Sequence, residues 1–358
     1  MQKELVAPSS NPAVPEHGLA RPIVHVGPFT ATLLNGVFRD PLLLVRLSHS
    51  NRALLFDLGE THTLGARTAH HVTDVFITHA HIDHIAGFLR FLRLRIGEPS
   101  VGRIYGPPGI AANISGLVNG VHWDRAGEGA PRFTVAELFP DETLRRFSIR
   151  AGERAARPLG ISPAKDGLLL DEPRFAVRAK TLDHLTPVLA FALESKAEIN
   201  VRKERLAELG ARPGPWLTTL KAAIAAGRRD ALVELPDGSR RRVGGLADFL
   251  VLIRAGAKLV YATDLADTAE NRRRLEALAR DADVLFCEST FLVADAERAA
   301  RTGHLTTRAC GEIASAANVA RLVPFHFSRR YEADPAEVYR EIRAAFPRTV
   351  VPRALGLD

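Results

Sequence analysis

Residues 78–87 read THAHIDHIAG, which sets three histidines and an aspartate into six positions as His79-x-His81-x-Asp83-His84. Clustering imidazoles is costly, because the rings repel once protonated and lose water when buried. The preceding VTDVFITHA (72–80) is a β-branched run and reads as a strand that stops at the histidines. A loop there, leading into a helix near 85–95, lets His79 and His81 bend toward one point while Asp83 and His84 turn toward a second. Imidazole nitrogen suits zinc, and a carboxylate adds a harder oxygen donor, so the stretch reads as half of a metal centre.

Two ions need about seven protein ligands, more than one cluster supplies. The remaining candidates end other strand-like runs: His184 after RFAVRAKTLD, Asp264 after KLVYAT and His326 after RLVPF. The expected division gives His79, His81 and His184 to one ion and Asp83, His84 and His326 to the other. Asp264 bridges them, since a carboxylate can span ions about 3.5–4 Å apart.

The totals fit an ordinary globular protein. The chain has 358 residues, 46% of them hydrophobic, with a net charge of +7. No apolar run approaches the roughly 20 residues of a membrane span, and the proline-rich opening has no apolar signal core. Residues 1–20 are expected to be a loose leader, 21–358 a catalytic domain, and the compartment the cytoplasm. With only Cys287 and Cys310, a disulfide framework and a cysteine-rich zinc knuckle are excluded. Both cysteines read as packed small residues.

Strand pairs fill the first half: PLLLVRLS (41–48) with RALLFDLG (52–59), and RFAVRAKTLDH (174–184) with PVLAFALES (187–195). KLVYATD, DVLFCEST and RLVPFHFS alternate with helices over about 267–280, 306–320 and 334–346, the last two capped by Thr306 and Asp334. Strands interleaved with helices across both halves predict an α/β sheet core with helices outside. Residues 122–172 carry no clear pattern. Residues 196–245 differ in kind: two short helices around Pro213-Gly214-Pro215, then a hairpin turning at Asp237-Gly238. This segment holds eleven Lys/Arg against six Asp/Glu, a local balance of +5. It reads either as a polyanion-binding surface or as a solvated loop.

HAHIDH resembles the signature of the metallo-β-lactamase superfamily, and within it the chain is most similar to the ribonuclease Z family, which trims the 3′ end of precursor tRNA. The resemblance runs through LLFDLGE, ITHAHIDHIAGF, RIYGPPG, YATDLADTAEN, CESTF and GHLTTRACGEIASAANVARLVPFHFSRRY, most of residues 52–332. LGARPGPWLTTLK is similar to a stretch near the tRNA-gripping arm of the bacterial enzymes, which favours RNA as the partner of the basic segment. The sequence departs from the family at Ile82, where Gly or Ala is usual, and follows it loosely around His184.

The resemblance implies an αββα sandwich with an inserted protruding arm, two Zn²⁺ (Mn²⁺ or Fe²⁺ being alternatives), a homodimer, and precursor tRNA as substrate. A hydroxide shared by the ions would attack phosphorus, with Asp83 orienting or deprotonating the water. His304 would donate a proton or hydrogen bond to the phosphoryl group, and Glu288 would orient His304. Ser328, Arg329 and Arg330 are candidate phosphate contacts, and Arg240-Arg241-Arg242 a candidate tRNA contact. His62, His70 and His71 read as surface residues. The alternative is a hydrolase of a small phosphodiester, lactone or sulfate ester on the same scaffold. A metal-stabilised RNA-binding protein without turnover is disfavoured, because His304 and Glu288 add nothing to metal binding.

Overall fold

The computed structural model describes residues 20–98 and 100–357. The expected leader therefore lies outside the described residues, apart from Ala20, which is fully buried.

The first sheet has nine strands in sequence order: β1 (Ile23–Val26), β2 (Phe29–Leu33), β3 (Leu43–Leu47), β4 (Ala53–Phe56), β5 (Val72–Phe76), β6 (Gly102–Gly106), β7 (Arg132–Leu138), β8 (Thr143–Arg150) and β9 (Arg157–Pro163). Strands β4 to β7 run parallel, and the flanking pairs are antiparallel. Helices α1 (Ala66–His71), α2 (Ile82–Ile85), α3 (Phe88–Leu94) and α4 (Ile110–Asn119) lie within the connections after β4, β5 and β6.

The second sheet opens with β10 (Leu168–Asp171), β11 (Phe175–Asp183) and β12 (Pro187–Ser195). An excursion follows: β13 (Glu198–Val201), α5 (Lys203–Glu208), α6 (Pro215–Ala225), β14 (Leu232–Glu234), β15 (Arg240–Arg242), α7 (Val243–Leu250) and β16 (Val251–Arg254). The chain rejoins the sheet through β17 (Lys258–Ala262), α8 (Ala269–Ala279), β18 (Val284–Glu288), α9 (Ala296–Thr302), α10 (Thr307–Ala316), β19 (Leu322–Phe325) and α11 (Pro335–Ala345). Its strand order is β10-β11-β12-β17-β18-β19. The last two pairings are parallel, as helical crossovers require.

The sheets pack face to face, and alternation along each strand decides which core a residue joins. In β4, Leu54 and Phe56 face the second sheet, while Ala53 and Leu55 face the helix side with Phe88, Phe91 and Ile114. Phe56 stacks on Phe76 at 4.9 Å and lies 5.6 Å from Tyr261 of β17, so aromatic rings join the two sheets. On the outer face of the second sheet, α8 and α10 pack on β11, β17, β18 and β19, and α11 on α10. Thr306 and Asp334 cap α10 and α11 as expected, accepting from the amides of Ala309 and Ala336. The architecture is the αββα sandwich.

Residues 122–172, unassigned from sequence, form β7, β8, β9 and β10. The excursion is longer than the basic segment suggested. Strand β13 pairs with β16, so its neck closes near Arg254, and the unit has its own core of Leu206, Trp216, Leu220, Val233, Val243, Leu246 and Leu250.

Candidate metal centre

Strands of both sheets end at one edge, and their C-terminal residues form the site. Asp57 follows β4, His79 follows β5, Asp264 follows β17 and His326 follows β19. Asp57, Asp264 and His326 all adopt left-handed backbone conformations, with φ of 58°, 54° and 58°. Such conformations are uncommon off glycine and cluster at functional sites, where surrounding structure enforces them.

The loop around HAHIDH is held from beneath by the segment after β4. The Leu58 amide donates to the His84 carbonyl at 2.8 Å, and the Gly87 amide to the Leu58 carbonyl at 2.9 Å. Approach is so close that a Cβ at Gly87 would fall 1.9 Å from the Gly59 oxygen, and one at Gly59 2.5 Å from the Asp83 oxygen. These two glycines are therefore fixed by contact. Asp83 and His84 sit on the short helical turn α2 rather than on an open loop, with His81 as its N-cap residue.

Among the described residues three groups of ligand-type side chains converge: Glu288, His304 and His326 form one, and two others share Asp264. In one of these two, donor atoms of His79, His81, His184 and Asp264 all lie within 4.8 Å of one another; in the other, those of Asp83, His84, Asp264 and His326 do so. These are the two sets the sequence partition expected, joined at Asp264. Asp264 Oδ2 lies 2.8 Å from His84 Nε2, 3.4 Å from His79 Nε2 and 4.0 Å from His184 Nε2, while Oδ1 lies 3.2 Å from His326 Nδ1.

The donor set fits divalent cations. His79 Nε2 and His84 Nε2 are buried and have no hydrogen-bond partner. For His84 the nearest polar atom is Asp264 Oδ2, 2.8 Å away as a charge contact to the carboxylate that joins the two groups. Buried polar atoms left without partners are costly, and a cation supplies the partner. The opposite ring nitrogens are occupied: His84 Nδ1 donates to Asp57 Oδ2 at 3.0 Å, and His184 Nδ1 to the Gly303 carbonyl at 2.7 Å. Such bonds fix the tautomer and leave Nε2 as the coordinating atom.

Charge is balanced within the cluster. Burial, followed by the neighbouring charge of His84, drives the His79 pKa down to about 2, so this ring stays neutral. His84 is the opposite case: against full burial, the carboxylates of Asp264 and Asp57 hold it well above the ordinary imidazole range. Asp264 is also fully buried, yet the charges of His326 and His84 keep it ionised far below the usual carboxylate range.

Comparison with known proteins bears on what this cluster belongs to. A family model described as "Beta-lactamase superfamily domain" matches residues 170–327. The chain is 35% identical to ribonuclease Z of Deinococcus radiodurans over 328 residues, covering 89% of this chain and 96% of that protein. The chain belongs to the ribonuclease Z family. It is also 32% identical to ribonuclease BN of Cronobacter sakazakii, over 89% of this chain and 93% of that protein. Among solved structures, the metallo-beta-lactamase fold protein YhfI of Bacillus subtilis shares the fold, with a TM-score of 0.53 at 15% identity, covering 90% of this chain and 95% of that one.

Beside the cluster, this ribonuclease Z-family chain brings His304 against Glu288. His304 Nδ1 lies 3.2 Å from both Glu288 oxygens. Glu288 is buried, and its oxygens also accept from the Leu265 amide at 2.8 Å, the Thr290 hydroxyl at 2.5 Å and the Leu305 amide at 3.3 Å. Those bonds commit the carboxylate to holding a histidine. Burial opposes charge on His304, but Glu288 outweighs it and raises the pKa to about 9. The His304 ring is 4.8 Å from that of His184 and 5.7 Å from that of His326.

Of the candidate phosphate contacts, Arg330 is engaged by Asp295 at 2.9 Å, Arg329 is largely exposed, and the Ser328 amide bonds the Thr290 carbonyl at 3.0 Å. His62 and His70 are exposed and paired with Glu60 and Glu98. Cys287 and Cys310 are free and buried. No helix among the described residues is long and apolar enough to cross a membrane.

Sequence reasoning missed Asp57. Its carboxylate accepts from the Thr78 amide at 2.8 Å, from Thr78 Oγ1, from His84 Nδ1 and, at 2.9 Å, from the Tyr261 hydroxyl of the other sheet. The signal was available: Asp57 ends the apolar run ALLF just as Asp264 ends its own strand.

Proposed function

We propose that the chain is a metal-dependent endonuclease that removes the 3′ trailer from precursor tRNA. The observation that carries the reading is the pair of His/Asp groups sharing Asp264, with the His304–Glu288 pair beside it, in a member of the ribonuclease Z family. His79, His81 and His184 would hold one cation, Asp83, His84 and His326 the other, and Asp264 both. Zinc suits the imidazole-rich set best, and manganese or iron would also be accepted.

When bound, the cations lower the pKa of water and neutralise charge building on the phosphoryl group. The side chains do the rest. Asp83, its carboxylate about one third exposed at 35%, accepts a hydrogen bond from the attacking water and orients it. His304, its Nδ1 held by Glu288, presents Nε2 to the leaving oxygen and donates the proton there. Glu288 acts through His304, keeping it protonated and aimed. No covalent intermediate on the protein is required.

The excursion at Glu198–Arg254 would serve as the arm that grips the tRNA backbone, its excess of Lys/Arg displacing counterions on binding. Ser328, Arg329 and Arg330, just beyond His326, would contact phosphate near the cut. We take the working form to be a cytoplasmic homodimer in which each arm can reach RNA bound to the other subunit.

The test is incubation of metal-loaded protein with a 3′-extended tRNA transcript and mapping of the ends. A single cut where the acceptor stem gives way to the trailer is expected. Hydrolysis of small phosphodiesters, lactones or sulfate esters with the transcript left intact would overturn the reading in favour of a small-molecule hydrolase.

A further inference from the structure

Ile82 and Leu185 are the most exposed large apolar residues among those described, at 77% and 75%. Both border the metal centre. Ile82 stands between His81 and Asp83, and Leu185 directly follows His184. The His81 and His184 rings are 5.3 Å apart, so the two aliphatic residues are chain neighbours of ligands that meet at the same group.

Neither is explained by packing or by the donor pattern, which uses only their neighbours. Leu185 is in addition held at φ 59°, in the tight turn where the His184 amide donates to the Thr186 carbonyl at 2.9 Å. Glycine suits that conformation and a bulky apolar residue does not. A side chain that is costly both to expose and to accommodate, placed twice at the mouth of one site, indicates contact with a ligand.

We infer that Ile82 and Leu185 form an apolar lip that packs against the base of a nucleotide flanking the scissile phosphate. The inference rests on the nuclease reading above. Single-stranded RNA offers unstacked bases whose faces are apolar, and proteins read such ends by covering those faces. The occupant is thus the nucleotide next to the cut.

The test crosses protein and substrate changes. Wild type, Ile82→Ser and Leu185→Gly are assayed on the 3′-extended transcript and on two versions abasic at the nucleotide on either side of the cut. Each variant should lower kcat/KM on the intact transcript by about tenfold, mainly through KM. One abasic transcript should show a similar loss with wild type and little further loss with the variants. Leu185→Gly should melt no lower than wild type, since its backbone suits glycine.

Equal losses on intact and abasic transcripts, or no loss on either, would overturn the lip. So would a change of oligomeric state that accounts for the loss, because the covering partner would then be a second copy of the chain. A wild-type protein that leaves the intact transcript uncut overturns the nuclease reading and the lip with it. One that cuts it normally, with uncoupled variants, overturns the lip alone.

Discussion

Tyr261 donates a 2.9 Å hydrogen bond to Asp57 across the interface of the two sheets, and the same carboxylate oxygen holds His84 Nδ1 at 3.0 Å. The bond ties the aromatic core to the metal loop. All three side chains are buried, so none can turn to water instead.

Tyr261→Phe removes that bond at almost constant volume. Asp57 keeps its bonds from Thr78 and His84, so the cost is that of one hydrogen bond to a charged group, about 1.5–3 kcal/mol. The loosened carboxylate behind His84 should lower metal affinity by up to about tenfold, the lower end for losing such a partner outright. Chemical denaturation and competitive zinc titration should show both effects. Unchanged metal affinity would mean that Asp57 holds His84 without help from the second sheet.

His304 should titrate high in the metal-free protein. Its pKa of about 9 exceeds the ordinary 6.5, so Glu288 stabilises the folded protein fully below pH 6.5, and the contribution is lost as pH rises through about 9. Histidine NMR should follow the ring through that range, and Glu288→Gln should shift its titration downward. In the metal-loaded enzyme, His304→Ala should lower kcat on precursor tRNA by about 10²–10⁴-fold with both cations retained. Full activity with full metal content would remove the proton-donor role.

The excursion should be separable from the body. The Ser195 amide donates to the Ala257 carbonyl, and the Ala257 amide to Ser195 Oγ, both at 2.8 Å, so the chain leaves and returns through one neck. Replacing residues 197–255 by a short Gly-Ser turn should leave a folded protein that hydrolyses a small phosphodiester. Binding of precursor tRNA should weaken, and its salt dependence should become shallower by about one per lost phosphate contact. Undiminished binding with an unchanged salt slope would show that the excursion does not touch RNA.

Much of this was legible where the sequence repeats one device: an apolar run that ends on a ligand-type residue. His79, His184, Asp264 and His326 follow that rule, and the structure gathers all four at one edge of the sandwich. Asp57 follows it too, but a single aspartate before Leu-Gly resembles an ordinary turn residue. Its importance depends on Tyr261, 204 positions away. Strand β9 was illegible for another reason. Six of its seven residues are exposed, so no alternation of burial marks it, and its strand character comes from pairing with β8. The α2 turn escaped because four residues are too few to show helical periodicity.

The central claim is that seven side chains from both sheets hold two cations around one shared carboxylate. Anomalous diffraction from crystals grown with zinc tests it most directly. The account predicts two metal peaks about 3.5–4 Å apart, one on either side of Asp264, with His79, His81 and His184 around the first and Asp83, His84 and His326 around the second. A single peak, or a pair that leaves Asp264 bound to neither ion, would contradict it.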